Sequence, residues 1–83
     1  MKNLNKSQNN MYYIGQIIKK YRKHLKWSQE RLSLKANLDR TYIGKLERGQ
    51  QNATIKSLTK IADALGINIF ILIKEAENLK SSK

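Results

Sequence analysis

The chain has 83 residues, with 17 Lys and Arg against six Asp and Glu, a formal net charge of +11 and no cysteine. A chain this short buries only about 60–65% of the surface its unfolded form exposes, so one domain with a modest core is expected, and a partner subunit would add burial. Without cysteine and with His24 as its one histidine, it has no disulfide framework, metal site or cofactor to expect.

Residues 1–10 hold four asparagines and two lysines and show no hydrophobic period, so a disordered tail is expected there. From Tyr13 to Lys26 the apolar residues Ile14, Ile17, Ile18, Tyr21 and Leu25 recur at spacings of three and four, the face of a first helix. Ser28 is the expected N-cap of a short second helix containing Leu32 and Ala36, with Trp27 and Leu32 as a hydrophobic staple across the cap. The arrangement recurs at Leu38, Asp39 and Ile43. Asn37 stands where the chain must reverse, and Asn is the usual substitute for Gly in a left-handed helix terminus.

A third helix is expected from Arg40 to Arg48, ended by Gly49, and a fourth is capped by Thr54 with the face Ile55, Leu58, Ile61, Ala62 and Leu65. After Gly66, Asn68 can cap a fifth helix whose face is Ile69, Leu72, Ile73, Ala76 and Leu79. The run Ile69 to Ile73 fits a strand equally well, but the composition of Lys74 to Lys80 favours helix. The same run, the longest apolar one, is far short of the roughly 20 residues of a membrane span, and no apolar signal segment follows the N-terminal charges. A soluble cytoplasmic protein is expected. The division is then a tail over 1–10, an all-α five-helix domain over 11–79, and a C-terminal tail over 80–83.

Gln29 to Arg48 reads as helix, three-residue turn, helix, with Leu32, Ala36, Leu38, Ile43 and Leu46 as apolar positions and the small Ser33 where the helices cross. That specifies a near-perpendicular pair. The opposite face of the third helix carries Arg40, Thr41, Gly44, Lys45 and Arg48, none of which has a core role. A protruding helix with donors near its N-terminus fits the DNA major groove, about 12 Å wide. Charge placement agrees: residues 1–60 hold 14 basic and three acidic side chains, and residues 61–83 three of each. Such a field suits a polyanion, although a solvated lysine-rich surface has the same composition.

The stretch Leu38-Asp39-Arg40-Thr41-Tyr42-Ile43, then Leu46-Glu47-Arg48, then Asn52-Ala53-Thr54-Ile55-Lys56-Ser57-Leu58 carries a resemblance. Over Ile14 to Ile67 the sequence resembles the Cro and lambda-type repressor helix-turn-helix family, and within it the controller proteins of bacterial restriction-modification systems. The resemblance implies a lambda-repressor-like fold, a homodimer on a pseudo-palindromic operator, and control of its own promoter and of an endonuclease gene. It places a phosphate or base contact on Gln29 and the reading positions on Arg40, Thr41, Gly44 and Lys45, with Tyr42 completing an Arg-Thr-Tyr trio. Gly44 departs by offering no side chain. Gln51 departs where a controller-like pattern has arginine. The family also places a partly buried ion pair on Arg22 and Glu47, a lock between the first and third helices.

Arg40 at the head of the outward helix suits a guanine edge, whose two acceptors match a guanidinium fork. Thr41, Tyr42 and Lys45 join it as expected base readers, although the ring of Tyr42 can also pack on the core, and Asp39 is expected to cap. Gln29, Arg48, Gln51, Asn52, Thr54, Lys56 and Ser57 are expected on the DNA backbone, the last five clustering at a helix N-terminus. Cap and loop chemistry alone is the alternative for them. Ile69, Phe70, Ile71 and Ile73 are the expected dimer interface, because Phe70 and Ile71 cannot share the core face of the fifth helix. No set of base, nucleophile and orienter can be assembled, so an enzyme is not expected, nor a small-molecule effector. Competing readings are a phage-type repressor or DNA-binding antitoxin, an RNA-binding protein, and an adaptor.

Overall fold

The computed structural model describes the backbone of residues 2–82 and the side chains of residues 10–82. Among these residues there are five helices and no strand: α1 (Lys2–His24), α2 (Gln29–Ala36), α3 (Arg40–Glu47), α4 (Ile55–Leu65) and α5 (Ile69–Ser81). The run at Ile69 is helical because Asn68 caps it, its side chain accepting from Phe70 N–H at 2.7 Å.

One pattern ends α1, α2, α3 and α4. Each closes with a left-handed residue at Lys26, Asn37, Gly49 and Gly66 respectively. The N–H of the following residue reaches back to Arg22 O, Ser33 O, Lys45 O and Ala62 O, and the left-handed residue's own N–H to Lys23 O, Leu34 O, Leu46 O and Asp63 O. These are Schellman closures, which satisfy carbonyls that the helix end would leave unpaired. At three junctions the next two residues are an apolar side chain and an N-cap: Trp27-Ser28, Leu38-Asp39 and Ile67-Asn68. The apolar residue thus ends one helix and staples the next, holding each turn short and its angle fixed.

The core takes fully buried side chains from every helix: Ile18 of α1, Leu32 of α2, Ile43 and Leu46 of α3, Ile61 of α4 and Leu72 of α5. Each contributes about 1.5–3 kcal/mol of burial. Helix α1 packs on α3 and α5, and α2 on α3 and α4. Gly15 allows the first of these contacts, because a Cβ there would lie inside the contact distance of Leu46 O and 3.0 Å from Glu47 Cα. Between α1 and α5, Tyr21 Oη donates to Glu75 at 2.5 Å and Lys20 Nζ reaches the same carboxylate at 3.3 Å. The hydrogen bond from Tyr21 holds the Glu75 carboxyl below its usual range, and the same bond raises the Tyr21 phenol.

Several expectations need correction. The helical backbone of α1 begins at Lys2, not Tyr13, so the tail expected over 1–10 is helical from residue 2, while the side chains of residues 2–9 lie outside those described. No Gly or Pro interrupts the chain before Gly15, and the turns at Met11 and Tyr13, packed on the core, can propagate helix backwards. Leu25 is 39% exposed because α1 stops at His24 and the reversal at Lys26 turns it off the core face. Ile55 is 67% exposed: it opens α4, and a side chain in a first turn leans toward the helix start, past the end of the core. Ile73 leaves the core face too. Lys80 and Ser81, expected in the tail, complete α5.

Candidate nucleic-acid interface

The residues expected to read DNA lie on α3. Asp39 caps it, Thr41 N–H donating to Asp39 Oδ2 at 2.9 Å, which assigns the carboxylate to the helix end and leaves the exposed side chains of Arg40 and Thr41 directly beyond it. Lys45, one turn on, is also exposed, while Ile43 and Leu46 anchor the opposite face in the core. Arg48 is exposed at the end of the helix and its Nε donates to Gln50 Oε1 at 2.9 Å.

Two other helix starts adjoin this face. Ser28, Gln29 and Glu30 from the start of α2 line a shallow depression together with Arg40. On the other side, the hydroxyls of Tyr42 and Ser57 lie 2.8 Å apart, tying α3 to the start of α4. Each start is capped, by Ser28 accepting from Arg31 N–H at 3.0 Å and by Thr54 accepting from Ser57 N–H at 3.0 Å. Among the described residues the N–H groups of Ile55 and Lys56 have no acceptor. Free N–H groups and the positive end of the helix dipole make such a terminus receptive to phosphate.

The structure separates the expected clamp residues. Asn52, Thr54 and Lys56 are exposed, and Gln51 is half-buried with its Nε2 donating to Asn52 O at 3.4 Å. Ser57 is 7% exposed, and its Oγ accepts from Thr54 N–H, donates to Thr54 O and meets Tyr42 Oη. Its place in the clamp is therefore corrected: Ser57 completes a capping box and offers nothing outward. Tyr42, expected to read bases, is half-buried and packs on the core, so its ring is a strut between α3 and α4. Gly44, expected on the outward face, is buried. A Cβ on it would stand 3.3 Å from Arg48 Nη1 and 3.4 Å from Gln29 Oε1, the two side chains that cover it.

Behind the face, Arg22 and Glu47 form a buried two-pronged pair, Nε to Oε2 at 2.6 Å and Nη2 to Oε1 at 2.9 Å. Arg22 Nη1 also donates to Trp27 O at 2.7 Å, so α1 holds both α3 and the turn that leads into α2. Glu47 Oε1 accepts a third bond, from Gln29 Nε2 at 3.0 Å. With these partners no buried side-chain nitrogen or oxygen among the described residues is left unpaired. Sequence reading paired Arg22 with Glu47 but missed Gln29 and Trp27. A hydrogen bond between residues 18 apart leaves no local pattern.

The family model described as helix-turn-helix matches residues 18–72, from the last two turns of α1 through α2, α3 and α4 to the first turn of α5. The chain belongs to the helix-turn-helix family. It is of the Cro and lambda-repressor type, and its similarity extends to restriction-modification controllers. It is 37% identical over 70 residues to the immunity repressor protein of Bacillus phage phi105, covering 84% of this chain and 49% of the repressor. Against the control protein C.MunI of a Mycoplasma species it is 38% identical over 64 residues, covering 76% of this chain and 86% of the relative. A crystal structure of the controller C.Esp1396I, a tetramer in complex with its natural 35 base-pair operator, superposes with a TM-score of 0.72 at 42% identity, covering 81% of this chain and 93% of that one. The chain spans about half the length of several curated relatives, the phage repressor among them. In this helix-turn-helix protein α3 packs on α1 and α2, is tied to the start of α4 by the Tyr42 and Ser57 hydroxyls, and leaves Arg40, Thr41 and Lys45 exposed. Among the described residues no helix is long and apolar enough to cross a membrane, and no cluster of His, Cys, Asp or Glu could hold a metal ion.

Proposed function

We propose that this protein is a sequence-specific double-stranded DNA-binding transcriptional regulator of the controller type. On this reading it acts in the cytoplasm as a homodimer on a pseudo-palindromic operator, and controls its own gene and that of an endonuclease. One observation carries the proposal: the exposed residues Arg40, Thr41 and Lys45 of α3 are flanked by the capped starts of α2 and α4. A helix that enters the major groove while two flanking helix starts meet the phosphates of its walls both reads and positions. In this arrangement Arg40, Thr41 and Lys45 face base edges. Gln29, Arg48, Asn52, Thr54, Lys56 and, from its half-buried position, Gln51 serve the backbone; Tyr42 supports them and reaches DNA only at the groove wall. The operator-bound tetramer of C.Esp1396I and the 86% coverage of C.MunI support the controller role. Similarity to the phage immunity repressor favours a second role, repression in a phage genome, and neighbouring genes separate the two.

Selection of bound duplexes from a random pool should return a two-fold symmetric motif. On that motif Arg40→Ala should cost about 1–3 kcal/mol and relax preference at one base position per half-site. Lys56→Ala should weaken cognate and random duplexes alike and make the salt dependence shallower by about one unit. Equal losses on both duplexes for both variants would overturn the division into readers and clamps.

A further inference from the structure

The buried pair of Arg22 and Glu47 does not end inside the protein. Glu47 Oε1 carries two donors, Arg22 Nη2 from α1 and Gln29 Nε2 from the first position of α2. The carboxylate can only accept, so the amide of Gln29 has one possible polarity, with its nitrogen inward. Arg22 cannot release the carboxylate, because its own Nε and Nη2 hold both oxygens and its Nη1 is tied to Trp27 O. The Gln29 amide lies over Gly44 in the middle of α3 beside Arg48, its Oε1 3.4 Å from where a Cβ on Gly44 would stand. Gln29 is half-buried and also lines the depression it shares with Arg40, so it reaches from the buried pair to the outer surface.

We infer that Glu47 is a positioning residue for DNA binding: its carboxylate, locked by Arg22, fixes the Gln29 amide so that its second N–H is directed to a DNA phosphate. The two hydrogens on Nε2 then bridge two anionic acceptors, Glu47 within and a phosphate outside. A phosphate accepts only, so an amide turned over would present its carbonyl oxygen and be repelled. This inference rests on the reading that α3 and its flanking helix starts meet DNA. It adds that recognition depends on a residue which touches no DNA.

The test is a double-mutant cycle on a duplex carrying the selected motif, with circular dichroism confirming that each variant is folded at the temperature used. Glu47→Gln should weaken binding by about three- to tenfold, the equivalent of one hydrogen bond lost from its fixed geometry. In the Gln29→Ala background the same substitution should leave affinity unchanged, while still lowering the unfolding temperature of the free protein. The side-chain NH2 signals of Gln29 in a nitrogen–proton spectrum should exchange slowly with solvent in the wild type and quickly in Glu47→Gln. If Glu47→Gln does not fold, Glu47→Asp keeps the charge, withdraws the carboxylate by one methylene, and should show the same non-additivity. An equal loss of affinity with and without Gln29, or no loss in either, would overturn the inference, as would a Gln29→Ala variant that binds like the wild type. The Arg40→Ala result keeps this separate from the DNA-binding reading: if Arg40→Ala weakens binding, that reading stands whatever the cycle shows.

Discussion

Two helical glycines show how little a residue type says until its neighbours are known. Gly15 in α1 and Gly44 in α3 are both buried within helices, where replacing Gly by Ala ordinarily gains about 0.5–1 kcal/mol. At Gly44 the added methyl needs only the guanidinium end of the exposed Arg48, 3.3 Å away, to give by a few tenths of an ångström, while Gln29 Oε1 at 3.4 Å can stay where it is in van der Waals contact. At Gly15 it meets backbone, Leu46 O and Glu47 Cα, which can yield only if α1 and α3 separate. Gly44→Ala should therefore raise the unfolding temperature by a few degrees, whereas Gly15→Ala should lower stability by about 2 kcal/mol or more, at the upper end of overpacking costs. Parallel thermal melts of the free proteins check both signs, and a stable Gly15→Ala variant would mean that the α1–α3 contact is looser than described. The same contrast explains what the sequence could and could not reveal at the site. The exposure of Thr41 and Lys45 was legible because helical periodicity assigns them to the face opposite Ile43 and Leu46, and that of Arg40 because it opens the helix next to its Asp39 cap. The burial of Gly44 and Ser57 was not, since it depends on Gln29, Arg48 and Tyr42 folding over from elsewhere in the chain.

Among the elements, boundaries were legible wherever the chain uses a residue suited to the required backbone. Ser28, Asp39, Thr54 and Asn68 cap as their short oxygen-bearing side chains predict, and Asn37, Gly49 and Gly66 occupy left-handed positions that such residues tolerate. The end of α1 was illegible because its left-handed residue is Lys26, at φ 62°, where the sequence carries no stop signal. Tertiary demand sets that turn: Trp27 must lie where its carbonyl accepts from Arg22 and its ring packs on the core. A non-glycine residue in this conformation costs about 1–2 kcal/mol, partly offset in glycine by the extra entropy of its unfolded chain. Lys26→Gly should consequently stabilise the domain by about 0.5–1 kcal/mol, or roughly 2–8 °C in unfolding temperature. Lys26→Ala, which keeps the backbone cost, should bring no such gain. Equal melting of the two variants would show that the turn is unstrained.

At the scale of the whole molecule, the charge asymmetry and the apolar surface belong to one design. The 11 excess positive charges lie within residues 1–60, while residues 61–83, which include α5, are neutral. Two copies brought together through their basic faces would repel, but two α5 helices can approach without that cost. Helix α5 turns Leu72 and Ala76 into the core and leaves Phe70 74%, Ile71 45% and Ile73 37% exposed. Ile73 also lines a groove against α1 with Tyr13, Ile14 and Ala76. Ile69 is half-buried and packs on the core, so it borders this surface and contributes less to it than sequence reading expects. On the homodimer reading proposed above, these exposed apolar side chains are the pairing surface, and a two-fold pairing through it would set two α3 helices to read half-sites about one DNA turn, 34–36 Å, apart. Phe70→Lys replaces the most exposed aromatic with a charge that both copies would bring to the same place, without altering a core contact. The variant should fold as the wild type does, sediment as a monomer at micromolar concentration, and bind an isolated half-site weakly, with no cooperative gain on the full operator. Phe70→Leu should retain the dimer. A wild-type chain that sediments as a monomer under these conditions yet binds the full site tightly would instead place assembly on the DNA, with α5 as no more than the lid of the domain.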